Sequence, residues 1–337
     1  SKKRFKRTES RLFIYYKNQK SFPRSLPKML WLKMKPHKSK KQGIKDYTKL
    51  ITLINDWKNY KNNEEKIMKL TKKIQKKRAV LPIIVAAGKG TRFKNSIGNK
   101  TKFIDKNLVK INNKPAVKHV LNKIMILKEK GIKIEKPIVV VNPKNKKEII
   151  TILRNKVRYV FQKKPLGTGD AVYQTLPMIK NFIGDVLVIW GSQPLIREDT
   201  IYKTIIIHQA ADSAMTFPTA KCHKPYAPLV RNKKNRVIDS LESHLEGAKK
   251  PNYGEDNLGI FILNNKSLIN GIKKIIDKYY SKNKYLLPKG EFGFPNMMIR
   301  TLAKNNTVLG LAMADKRECQ GIKEFEDVKL VEKYMKT

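Results

Sequence analysis

Long apolar runs, cysteine and negative charge are all scarce in this 337-residue chain. Nothing approaches the roughly 18 consecutive apolar residues of a membrane span. No charged-then-apolar segment of signal type opens it. The two cysteines, Cys222 and Cys319, lie far apart and outside any metal-ligand spacing. That excludes a disulfide scaffold and points to a reduced, cytoplasmic setting. The five histidines are scattered, and His223 beside Cys222 reads as a loop residue rather than a ligand. An apolar share of 40% fits a soluble globular protein with one large core or two modest ones.

Acidic residues number 27 against 74 basic ones, a net charge of +47. Residues 1–80 hold 26 Lys/Arg against 5 Asp/Glu, and the other 257 hold 48 against 22. The excess is denser at the front but spread over the whole chain. Only 13 of the basic residues are arginine, whereas specific readers of bases and phosphates favour arginine's planar fork. Abundant Lys, Ile and Asn reads as compositional bias. Non-specific, salt-sensitive binding to nucleic acid is expected, not a dedicated reader.

What is present begins with a basic tail over 1–42, interrupted by Pro23, Pro27 and Pro36. Over 43–80, Ile44, Tyr47, Leu50, Ile51, Ile54 and Trp57, then Ile67, Leu70 and Ile74, recur at helical spacing. These predict an amphipathic helical extension. From residue 81 to the end, strands alternate with helices. Strands are expected at Leu81–Ala86, Pro137–Val141, Val157–Phe161 and Val186–Trp190. Helices are expected at Ala116–Lys130, Lys144–Asn155 and Thr168–Ile179. The rhythm predicts an α/β fold: a Rossmann-like, mainly parallel sheet with helices on both faces and ligands at the strands' carboxyl ends. After about residue 212, short strands at 214–219, 227–231, 236–241 and 258–263 predict an antiparallel subregion covering the site for a second substrate. Helix, strand and helix close the chain at 295–304, 308–312 and 323–335. No internal repeat is visible.

The chemistry-bearing segment is Pro-Ile-Ile-Val-Ala-Ala-Gly-Lys-Gly-Thr-Arg at 82–92. A β-branched strand runs into Ala86 and Ala87, which keep the floor thin. Gly88 and Gly90 permit a nest of N–H groups for anionic oxygens, and Lys89 and Arg92 add charge. It is neither a Walker loop nor a dinucleotide fingerprint, since Phe93 stands where a third glycine belongs. Downstream, Gln162 precedes a glycine turn, Gly167-Thr168-Gly169-Asp170, that opens a helix. Gly191 and Ser192 follow the fourth strand, Glu242 ends a strand, and Asn257 begins another.

In this order the segments resemble a sugar-phosphate nucleotidyltransferase, nearest the uridylyltransferase domain acting on N-acetylglucosamine 1-phosphate. The resemblance covers about residues 81–335. It implies nucleotide binding by Ala86, Ala87, Gly88, Gly90, Thr91, Gln162, Gly167 and Gly191, with Arg92 as a catalytic residue. A second catalytic residue, Lys106, is placed by its spacing from Lys114-Pro115-Ala116-Val117-Lys118-His119-Val120. The sugar side falls to Thr168, Glu242 and Asn257. A nucleoside triphosphate and a sugar 1-phosphate are the implied partners, and Mg²⁺ the implied cofactor.

The chain departs from the pattern at the two metal-holding positions. Ser192 replaces an aspartate, and Lys323 replaces an asparagine or aspartate. A hydroxyl is a poor ligand for a hard cation and an ammonium is none. Three accounts remain open at this point: substrate phosphates and water carry the metal, Lys323 substitutes for part of its charge, or the usual chemistry is lost. Asp170 is a candidate alternative carboxylate. Besides in-line transfer to a sugar phosphate, the residues admit cytidylyl or guanylyl transfer to another phosphorylated substrate, and a nucleotide-sugar sensor.

Overall fold

The computed structural model describes residues 40–97, 105–242, 246, 247, 249 and 251–336. The tail expected over 1–42 lies outside these residues up to position 39, as does the 98–104 part of the loop before Lys106. Two helices come first, α1 (Lys40–Asn55) and α2 (Tyr60–Ile74). Helix therefore begins ahead of the residue-43 boundary read from periodicity. Leu50, Ile54, Tyr60 and Ile67 are fully buried against Ile207, Ala211, Leu309 and Leu311. The extension is thus packed onto the main domain by its apolar stripe.

The domain then runs β1 (Val80–Val85), α3 (Thr91–Ile97), α4 (Ala116–Ile126), β2 (Ile138–Val141), α5 (Lys146–Leu153) and β3 (Arg158–Phe161). It continues through α6 (Thr168–Tyr173), α7 (Leu176–Ile179), β4 (Asp185–Trp190), α8 (Glu198–Ala211) and β5 (Met215–His223). Next come β6 (Leu229–Arg231), β7 (Val237–Ser240), β8 (Tyr253–Asn257), β9 (Ile260–Asn264) and α9 (Asn265–Tyr279). The chain ends with α10 (Phe294–Leu302), β10 (Val308–Leu311) and α11 (Asp327–Lys336).

The central sheet has the order β8-β5-β9-β4-β1-β2-β3, with β10 beside β5. Strands β4, β1, β2 and β3 are mutually parallel. Alternation along β1 feeds two cores. Leu81, Ile83 and Val85 join Val140, Val188 and Phe261 on one face; Val80 and Ile84 join Val139, Leu187 and Ile189 on the other. Because β2 lies on one side of β1 and β4 on the other, the segments leaving β1 and β4 part at a topological switch point. A crevice opens there, at the carboxyl ends of the strands.

The strands expected to form a separate antiparallel cover divide instead. β9 runs antiparallel between β4 and β5 inside the main sheet, because both strands are apolar over their paired length and need burial on both faces. Only β6 and β7 form their own two-stranded ladder. Asn257 closes β8 rather than opening a strand. Three helices, α3, α8 and α9, are not marked by the sequence periodicity. In α8, Ile201, Ile205, Ile206 and Ile207 are all buried, so the helix is apolar around much of its circumference and lacks an amphipathic signature. α9 was likewise passed over. No helix among the described residues is long and apolar enough to cross a membrane.

A buried ion cluster ties the extension to the sheet. Arg78, just beyond α2, donates from Nε to both oxygens of Asp185 (2.9 and 3.0 Å) and from Nη1 to Asp212 (2.8 Å). Burial alone would raise the Asp185 carboxyl, but His208 and Arg78 hold it below the usual carboxylate range. Removing the arginine leaves an uncompensated buried charge. Arg78→Ala is expected to cost about 3 kcal/mol in urea denaturation; an unchanged midpoint would contradict this role.

Candidate active site

The crevice is a cavity of about 500 Å³, within the range of small-molecule sites. Its floor is the glycine loop after β1, and a polar network orients that loop. Asp105 is buried and accepts from the backbone and side-chain nitrogens of Asn107 (2.8 and 2.6 Å) and from Asn145 Nδ2 (2.8 Å). Asn145 Nδ2 also reaches the Ala86 carbonyl at 2.7 Å, and Asn142 Nδ2 reaches those of Ala87 and Gly88 at 3.3 Å. Three successive carbonyls are therefore drawn to one side. The backbone N–H groups of residues 87–90 donate to no described residue. Gly90, at φ +63°, completes the turn. The result is a nest of unpaired donors.

Cations surround it. Arg92 donates from Nη1 to the Tyr226 hydroxyl at 2.8 Å. Lys106 and Lys323 line the same cavity. Among the described residues, no carboxylate lies at ion-pair distance from Arg92, Lys106 or Lys323. Burial pushes the Lys106 ammonium down to about 8, and Arg92 and Lys323 repel it further, while Asp105 and Asp327 support its charge. Lys89, by contrast, is spent on Glu291 at the rim (2.9 Å).

On the wall formed after β3, buried Gln162 donates from Nε2 to the Asp170 carboxylate (2.7 Å) and the Gly167 carbonyl (3.0 Å). That fixes its amide and leaves Oε1 as the acceptor. Gly167, at φ +108°, lies where a Cβ would come within 2.4 Å of the Phe292 carbonyl, so only glycine fits. Asp170 also accepts from Tyr285 Oη (3.0 Å) and Gln174 (3.3 Å). Its oxygens are taken up by these structural hydrogen bonds, which corrects its candidacy as a spare metal ligand.

On the opposite wall, Thr168 Oγ1 accepts from Phe294 N (3.0 Å) and faces the cavity. Asn257 donates to Ser240 Oγ (3.0 Å) and accepts from Gly259 N (3.2 Å), so it braces the wall that it lines. Arg300 of α10 grips Asp239 (2.8 Å) and Glu246 (2.5 Å), holding the segment that carries Glu242. Glu242 lines the cavity, and burial beside Glu246 and Asp256 pushes its carboxyl up to about 7.

The cavity thus brings together Gly88, Gly90, Thr91, Arg92, Lys106, Gln162, Gly167, Thr168, Ser192, Glu242, Asn257 and Lys323. Ala86, Ala87 and Gly191 do not line it. They are buried beneath the floor, with Gly191 N bonded to the Val85 carbonyl (3.0 Å). Sequence reasoning missed Asp256 and Tyr226, whose ring centre lies 4.0 Å from the Lys323 ammonium and whose hydroxyl accepts from Arg92. The Asp256 oxygens accept from Tyr226 N (2.9 Å) and Ala227 N (2.8 Å). The available signals were an aromatic beside Pro225 at the cavity edge and an acid directly before Asn257.

The residues do not fit a protein-held divalent cation. Ser192 offers a hydroxyl, Lys323 an ammonium, and the nearby Asp170 and Asp256 oxygens are engaged. Among the described residues no cluster of three or more His, Cys, Asp or Glu side chains is arranged to hold a metal.

A cavity lined by a glycine turn and three cations, at the carboxyl ends of parallel strands, is where α/β folds of this class place their ligands. The nucleotidyl transferase family model matches residues 81–288, and the chain belongs to that family. Among similar curated proteins is the bifunctional protein GlmU of Levilactobacillus brevis, 31% identical over 192 residues, or 56% of this chain and 39% of that one. GlmU of Acholeplasma laidlawii is 27% identical over 262 residues, covering 75% of this chain and 51% of its own. The chain therefore spans about two-fifths to one-half of the length of these relatives. HddC from Yersinia pseudotuberculosis, solved in complex with GMP-PN, shares the fold at a TM-score of 0.50 and 20% identity, over 76% of this chain and 99% of that one.

The raised Glu242 carboxyl carries a testable sign. Its ordinary value of 4.5 rises to about 7 in the folded chain, so its contribution to stability is present at low pH and lost as pH climbs through 7. Glu242→Gln is expected to unfold at higher urea than the parent, with the gain growing between pH 5 and pH 8. A pH-independent difference would contradict the burial.

Proposed function

We propose that the chain catalyses in-line nucleotidyl transfer from a nucleoside triphosphate to a sugar 1-phosphate, with UTP and N-acetylglucosamine 1-phosphate as the favoured pair. The observation that carries this is that three cations with no carboxylate at ion-pair distance among the described residues line one cavity with the glycine turn of residues 88–90. An aqueous cavity built this way suits a polyphosphate and little else.

A phosphate oxygen of the sugar 1-phosphate attacks the α-phosphorus. The new P–O bond forms as the α–β bridging bond breaks, and pyrophosphate leaves. The attacking oxygen is already anionic, so no protein nucleophile or general base is needed. Catalysis is positioning plus charge stabilisation. The N–H groups of residues 88–90 and Arg92 hold the departing phosphates, while Lys106 faces the α-phosphate. Gln162 presents a fixed acceptor to the base, which matches the ring N–H of uracil; the bare ring N3 of cytosine would meet it unfavourably. Glu242 and Thr168 face the sugar hydroxyls, with Asn257 bracing them.

The test is a matrix of nucleoside triphosphates against sugar 1-phosphates, scored by pyrophosphate release. UTP with N-acetylglucosamine 1-phosphate is expected to give the highest turnover; saturable nucleotide binding with no pyrophosphate from any pair would mark a sensor instead. Arg92→Ala is expected to lower turnover by about 10²–10³-fold with the circular dichroism spectrum unchanged. Near-normal turnover would remove Arg92 from the mechanism.

A further inference from the structure

Of the three cations, Lys323 has the most constrained setting. Its backbone is clamped from two directions. Ile322 N donates to the Ser192 carbonyl (2.9 Å), while Lys323 N and Glu324 N both donate to Asp327 Oδ2 (2.7 and 2.8 Å). Gln320 donates to the other oxygen of Asp327 at 2.8 Å. Behind it, Gly321 is pressed so closely to Gln193 that a Cβ would lie 2.5 Å from its amide oxygen. The side chain then crosses the cavity wall and sets its ammonium 4.0 Å from the centre of the Tyr226 ring. Arg92 lies 5.4 Å from the same centre and bonds the ring's hydroxyl.

Tyr226 is therefore a shared platform that holds two like charges in one cavity through its π face and its oxygen. Its backbone is in turn fixed by Asp256. Asp256 and Asp327 support the Lys323 charge, but neither is at ion-pair distance, so the ammonium lining the cavity can meet an anion that enters it. Lys323 occupies, with Ser192 alongside, the two positions at which the resembled family places its magnesium-holding residues.

We propose that Lys323 is a catalytic residue. Its tethered ammonium, positioned by Tyr226 and Asp327, neutralises charge developing at the transferring phosphate, in place of a protein-held divalent cation. The inference rests on the nucleotidyl-transfer reading above. In that reading the bond changes are unaltered, and the ammonium keeps its proton throughout. Any Mg²⁺ arriving with the triphosphate would be ligated by phosphate and water, not by a protein carboxylate.

The experiment measures UTP binding by calorimetry, and pyrophosphate release with N-acetylglucosamine 1-phosphate, each with Mg²⁺ and with excess chelator. The full-length parent, Lys323→Met, Lys323→Arg and Lys323→Asp are compared. The parent is expected to bind UTP in chelator within about threefold of its affinity in Mg²⁺ and to retain turnover. Lys323→Met is expected to lose about 10²-fold in chelator turnover and about tenfold in chelator affinity. Lys323→Arg should recover part of both. Lys323→Asp should be active only with Mg²⁺, a switch that a merely structural lysine would not produce. Melting temperatures of all four confirm that folding is retained, and Lys323→Arg stands in if the shorter side chains unfold. Binding and turnover that vanish in chelator for the parent would overturn the proposal while leaving the nucleotidyl-transfer reading intact. Chelator-phase behaviour of Lys323→Met equal to the parent's would do the same. Absence of UTP binding under both conditions would overturn both.

Discussion

The site depends on a single buried carboxylate. Asp105 gathers the Asn107 and Asn145 amides, and with Asn142 they take up the carbonyls of Ala86, Ala87 and Gly88. A glycine-containing turn left to itself samples many backbone states. Here its carbonyls are paired on one side, and the cavity-lining residues 88–90 keep N–H groups with no acceptor among the described residues. Burial raises the Asp105 carboxyl, opposed by the Asn107 and Asn145 hydrogen bonds and by the charge of Lys106. The network is interlocked: removing one amide leaves other buried groups unsatisfied, at about 1–3 kcal/mol each.

The second constraint is electrostatic. Burial is the main cause that lowers the Lys106 and Lys323 ammonium groups, and repulsion from Arg92 adds to it in both. Tyr226, Asp256 and Asp327 make the arrangement tolerable without supplying a partner at ion-pair distance. On the reading proposed above, the partner they await is a polyphosphate. That separates these three cations from the many solvated lysines responsible for most of the net charge. The surface excess acts weakly and at a distance, whereas the cavity charges are fixed and partly desolvated.

The parallel half of the sheet was legible because β1, β2 and β4 are unbroken apolar runs, and a strand buried on both faces needs nothing else. The switch point followed from the βα rhythm. β9 and β5 were recognised as strands, but sequence could not say whether they stand apart or join the main sheet, since the same apolar pattern serves both. α8 was illegible for the opposite reason: burial around its circumference erases the period that marks a surface helix. At the site, residues with a distinctive local motif (the glycine loop, Gln162, Gly167) converge on the cavity. Ala86, Ala87 and Gly191 act from beneath it, through backbone geometry that a motif cannot distinguish from contact. Tyr226 and Asp256 carry no motif. Their roles arise from β5 and β8 lying side by side.

The most direct measurement is a crystal structure of the full chain with a non-hydrolysable UTP analogue. Phosphate oxygens are expected within hydrogen-bond distance of the N–H groups of residues 88–90 and of the Arg92 guanidinium, with the uracil ring N–H on Gln162 Oε1. Phosphates bound elsewhere, or a glycine loop whose N–H groups turn into the protein when nucleotide is present, would contradict this placement.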